Sequence, residues 1–126
     1  MKISTIATFA LASTASARFS GTVVAGLDRN NNCFGVTYNA HDTVLGGLNC
    51  PQTAECNSNG NEIVNSHVKC TYNGGQADIF TFPHDTVKFC RAGFCSCMAT
   101  QYIKSDKKNG DTYVNFNYND DNAYNC

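Results

Sequence analysis

Eight cysteines in a chain of 126 residues restrict its fold more than any other feature of the sequence. They stand at Cys33, Cys50, Cys56, Cys70, Cys90, Cys95, Cys97 and Cys126. An even set in a small domain reads as four disulfides when the chain folds where thiols oxidise. The N-terminus points to such a compartment. Met1 and Lys2 form a basic start, Ile3 to Leu11 is apolar, and Ala15-Ser16-Ala17 has the small-x-small pattern of a cleavage site. The expectation is a signal peptide over residues 1–17 and one secreted, extracellular domain over residues 18–126. The apolar run is far shorter than the ~20 residues of a membrane span, so no transmembrane segment is expected. Cleavage removes no cysteine. Each bridge is expected to contribute roughly 2 to 4 kcal/mol, chiefly by restricting the unfolded chain.

Spacing leaves the connectivity open, since eight cysteines allow on the order of a hundred pairings. In a strand Cys95 and Cys97 share a face and cannot easily bond each other, so they should staple two different segments to one place. Cys126 would pin the end of the chain. Cys50 and Cys56 enclose Pro51 to Glu55, which suits either a local bridge or a single helical turn opened by Pro51. Zinc sites carry paired cysteines or histidines at short spacing, whereas His41, His67 and His84 stand apart, so no metal site is expected.

Apolar residues recur at period two. Seven strands are predicted, over Phe19 to Leu27, Cys33 to Asn39, Glu62 to Tyr72, Asp78 to Phe82, Thr86 to Arg91, Phe94 to Ile103 and Thr112 to Tyr118. Asn, Gly, Asp and Ser clusters separate them, and Asn109-Gly110 carries the signature of a β-hairpin. In the last strand Val114, Phe116 and Tyr118 share one face, while Tyr113, Asn115 and Asn117 form a wet one. Helical signal is confined to Pro51 to Cys56 and part of Cys95 to Lys104. The fold expected is mostly β, a disulfide-stabilised sandwich or small barrel with at most one or two short helices; an α+β sandwich is the alternative.

Thr37 to Val44 and Thr81 to Val87 echo each other, each carrying a His-Asp pair. One reading is a duplicated corner in which Asp orients His. Adjacent strand residues face opposite sides, so the favoured reading is a repeated strand-turn-strand unit whose Asp caps the turn. Paired cysteines leave no thiolate nucleophile, serine lacks a G-x-S-x-G setting, and no Gly-rich phosphate loop implies a cofactor. No catalytic residue is therefore assigned. The best enzymatic alternative is a small secreted hydrolase such as a ribonuclease, using His41 or His84 with Glu62 and a Lys or Arg. Formal charge is -1 for the whole chain and one unit more negative once Lys2 is removed, which disfavours nucleic acid as a partner. Lys104, Lys107 and Lys108 form the one local basic cluster, suited to an acidic partner or anionic surface, or to a solvated turn kept from edge pairing by charge. Exposed Tyr and Asn would suit sugar or protein recognition.

The opening Met1-Lys2-Ile3-Ser4-Thr5-Ile6, a domain of about a hundred residues and the eight cysteines together resemble the small secreted cysteine-rich proteins of filamentous fungi, many of them candidate effectors. Two segments, Leu48-Asn49-Cys50 with Cys56, and Gly110-Asp111-Thr112-Tyr113-Val114-Asn115-Phe116, resemble the opening and closing parts of the smut-virus killer toxins and their fungal relatives. The resemblance implies a non-enzymatic, extracellular effector or toxin-like protein that binds a host or competitor protein, glycan or cell surface. It transfers no active residue to this chain.

Overall fold

The computed structural model describes residues 19–59, 62–83, 86–91, 93–124 and 126. The expected signal peptide lies outside them. Nine strands make one antiparallel sheet: β1 (Phe19–Leu27), β2 (Cys33–Asp42), β3 (Gly46–Gly47), β4 (Cys56–Asn59), β5 (Glu62–Tyr72), β6 (Gly75–Phe82), β7 (Thr86–Arg91), β8 (Phe94–Lys108) and β9 (Asp111–Tyr124). The order across the sheet is β3-β2-β1-β9-β8-β7-β6-β5-β4, so every neighbour is a hairpin partner except β1 and β9, the first and last described strands, which pair with each other. The mostly β expectation holds, and the described residues contain no helix.

Alternation explains the curl of the sheet. Val23, Ala25 and Leu27 on β1, Val36, Tyr38 and Ala40 on β2, Ile79 on β6, Val87 and Phe89 on β7, and Val114, Phe116 and Tyr118 on β9 all point to one buried core. A sheet with one apolar face covers that face by wrapping onto itself. Strand pairing does not close the wrap. The segment after β3 does the joining: Val36 and Thr53 exchange hydrogen bonds of 2.8 and 3.0 Å, and Asn49 and Thr71 exchange a pair at 2.9 Å, linking β2 to β5.

Two disulfides lock this seam, Cys33–Cys56 and Cys50–Cys70. Cys90–Cys95 ties the β7–β8 hairpin, and Cys97–Cys126 fixes the chain end to β8. Cys95 and Cys97 thus serve different segments, as their spacing requires. Cys50 and Cys56 do not bond each other, and Pro51 to Cys56 forms no helical turn, because Thr53 is drawn out to pair with Val36. The helix considered within Cys95 to Lys104 is also absent: these residues lie in β8. Pairing with β7 on one side and β9 on the other outweighs the helical spacing of Met98, Tyr102 and Ile103 there.

Turn chemistry sets the registers. Asn109 and Gly110 both have positive φ, 55° and 90°, the mirror-image turn that matches strand twist. Asp28 Oδ1 accepts from the amides of Asn30 and Asn32 at 2.8 and 2.9 Å, shaping the β1–β2 turn. The two tips lie together, since a Cβ added to Gly110 would come within 2.4 Å of Arg29 Nε.

Candidate functional site

Among the described residues, those singled out from the sequence do not assemble into one site. His41 is exposed on the outer face of β2, while Asp42 beside it is fully buried. Asp42 Oδ1 accepts from the amides of Val44 and Leu45 at 2.7 and 3.2 Å, and Oδ2 accepts from Arg91 Nε at 3.0 Å. The carboxylate therefore caps the β2–β3 turn and pairs with a cation on β7, and it does not orient His41. His84 and Asp85, and the side chain of Glu62, lie outside the described residues.

The structure gathers other groups on the outer face. Phe34, at the start of β2, lays its ring over the bare backbone of Gly26: a Cβ there would stand 2.5 Å from the Phe34 ring. Its edge meets Tyr113 of β9, with ring centroids 6.0 Å apart and planes at 89°. Beside Tyr113 a groove of about 510 Å³ is lined by Val24, Asp106, Lys107, Lys108 and Asn115. Tyr113, Asn115 and Asn117 are half-buried, so this face is drier than its sequence suggests. Arg29 lies over the tip of the same hairpin. The groove thus offers the Tyr113 ring, an amide and charges of both signs within one concavity, with Phe34 edge-on to Tyr113 beside it. It can stack on an apolar sugar face and bond hydroxyls, or seat a side chain of another protein.

Sequence reading passed over a second cluster, on β5 and β6. His67 Nε2 hydrogen-bonds Asp78 Oδ1 at 2.9 Å, and its imidazole stacks on Phe80 at 4.4 Å with the planes 7° apart. Phe80 in turn lies 6.0 Å from Phe82. His67 also borders a polar cleft of about 370 Å³ with Glu55, Asn57 and Asn65. The hairpin register contained the signal. The Asn73-Gly74 turn sets Tyr72 opposite Gly75, which places His67 opposite Phe80 and Lys69 opposite Asp78.

Inside the sheet the polar chemistry is structural. Tyr38 Oη, Ser66 Oγ and Thr81 Oγ1 hydrogen-bond one another across the core. Burial raises the Tyr38 phenol above its ordinary value of 10, and the bonds to Ser66 and Thr81 only partly offset this. Tyr118 is raised further, first by burial and then by its proximity to Tyr38. Its hydroxyl finds no hydrogen-bond partner among the described residues. No group of three or more His, Cys, Asp or Glu side chains among the described residues could hold a metal ion, and none of these residues forms a helix long and apolar enough to cross a membrane.

Comparison with protein-family models, with curated proteins and with solved structures yields no match.

Proposed function

We propose that this chain is a secreted, non-enzymatic binding protein, effector-like or toxin-like in the sense of the small cysteine-rich fungal proteins it resembles. Its partner is an extracellular host or competitor protein, a glycan or a cell surface. The observation that carries this reading is the groove of Tyr113, Val24, Asn115, Asp106, Lys107 and Lys108, with Phe34 packed edge-on against Tyr113. Four disulfides suit an oxidising, protease-rich exterior. A sheet cross-linked by all four limits backbone reordering when that groove binds. Binding of the secreted protein to a glycan array and to intact cell surfaces tests the reading. Retention that falls about tenfold in Tyr113→Ala, with an unchanged melting curve, is the expected result.

One observation favours a second reading, a small secreted hydrolase. His67 is held by Asp78 at the edge of a cleft that also contains Glu55, which supplies an oriented base and a carboxylate. Incubation with RNA separates the two. Cleavage that disappears in His67→Ala at unchanged melting temperature would replace the binding reading with the hydrolase.

A further inference from the structure

Strand β8 is 15 residues long, yet its pairing with β7 ends where Thr86 meets Ala99. From Gln101 to Lys108 it pairs with β9 alone, and no described strand lies on its other side. Every residue of that run is exposed, Tyr102 and Ile103 at 61% and 48%. A strand with one neighbour keeps a row of outward N–H and C=O groups, which a further strand can satisfy. Where β7 stops, a crevice of about 10 Å³, room for about one water, leads between Phe82, Thr86, Thr100 and Phe116 toward the buried Val23 and Thr81. Tyr102 continues its wall, edge-on to Phe116 with centroids 6.1 Å apart.

Charge limits what can dock there. Lys104, Lys107 and Lys108 outnumber Asp106 on this run, with Lys104 Nζ 3.4 Å from Asp106 Oδ2, and at the tip Arg29 is matched by Asp111 opposite Lys108, so the run keeps a net positive charge. Two such edges laid against each other would repel, so a second copy of the chain is a poor occupant. We propose that the free edge of β8, Gln101 to Lys108, accepts an extended acidic segment of a partner protein as an added antiparallel strand. The main chain supplies hydrogen bonds, carboxylates on one face meet Lys104 and Lys108, and apolar side chains on the other pack against the exposed rings of Tyr102 and Phe82. This inference rests on the binding reading and names a partner class for it.

Amide chemical shifts and hydrogen exchange of the full secreted protein test it, with a capped peptide of alternating Glu and Val as probe. Shifts and slowed exchange confined to the amides of Gln101 to Lys108 are expected. Affinity should drop about tenfold or more in the double variant Lys104→Glu, Lys108→Glu. A peptide of the same sequence, N-methylated at every residue, should not bind, because neither of its edges can join the ladder. Equal binding of the methylated peptide, or no shift at this edge, would overturn the proposal. Shifts at the same amides that depend on protein concentration alone would assign the edge to self-association and overturn it too. Shifts confined to Val24, Tyr113 and Asn115 would also overturn it while leaving the binding reading intact.

Discussion

Arg91 Nε reaches Asp42 Oδ2 at 3.0 Å, joining β7 to β2 between residues far apart in the sheet order. Asp42 is fully buried, and Arg91 is held over the rings of Phe19 and Phe94 at 5.9 and 5.8 Å. Removing one partner leaves a buried charge uncompensated, which typically costs about 3 to 5 kcal/mol. Asp42→Ala, which also loses the caps on Val44 and Leu45, is expected to fall in that range by denaturant unfolding. Asp42→Asn keeps an acceptor for the turn and should lose less. His41→Ala, on the exposed side, should stay within ~0.5 kcal/mol of the parent.

Two buried phenols should respond oppositely to loss of their hydroxyls. Tyr38→Phe removes the hydrogen bonds to Ser66 and Thr81 and should destabilise the protein by about 1 kcal/mol. Tyr118→Phe removes a buried hydroxyl with no partner among the described residues, and should be neutral or stabilising by about the same amount. Thermal melts of the two variants at neutral pH provide the comparison.

The same phenols set a pH dependence. Both are raised above their ordinary value of 10 in the folded protein, so the folded state keeps its protons where the unfolded chain releases them. Their contribution is complete below pH 10 and is lost as pH rises beyond it. Unfolding free energy should therefore decline above pH 10. Absorbance titration should show Tyr38 and Tyr118 ionising only as the protein unfolds.

The seven longer strands were legible because each alternates apolar and polar residues against one core. Their boundaries follow the sequence closely in β1, β5 and β7, where turn residues flank the run. Strands β3 and β4 were not legible. Gly46-Gly47 and Cys56-Asn57-Ser58-Asn59 carry no apolar alternation, and pairing with β2 and β5 makes them strands. Long-range chemistry was hidden for a related reason. Asp42 and Arg91 are 49 residues apart and on non-neighbouring strands, so no local pattern connects them. His67 and Asp78 differ in this respect, because counting back from the Asn73-Gly74 turn brings them onto facing strands.

Disulfide removal should follow loop length. Cys90 and Cys95 are separated by 5 positions and already face each other in a hairpin, while Cys97 and Cys126 are separated by 29. In the chain-entropy account the shorter loop contributes about 2 kcal/mol and the longer roughly 3.5. Double Cys→Ser variants of each pair, unfolded in guanidinium, should rank in that order. The reverse order would show that the hairpin bridge constrains more than its own loop.

Two glycines on β1 separate fold from surface. A Cβ at Gly21 would stand 1.9 Å from the Asn39 carbonyl oxygen, a backbone atom of the paired strand that cannot step aside. Gly21→Ala should force β1 and β2 apart and cost about 3 kcal/mol or more. At Gly26 the obstacle is the ring of Phe34, which is 42% exposed and free to turn outward. Gly26→Ala should consequently keep the fold, with a melting temperature within a few degrees of the parent. What it should lose is the edge-on contact between Phe34 and Tyr113, visible as a change in the Tyr113 ring resonances. If the groove beside Tyr113 is the binding surface, the same variant should lose retention on the glycan array or cell surface as Phe34→Ala does. Full retention in both would place recognition elsewhere on the sheet.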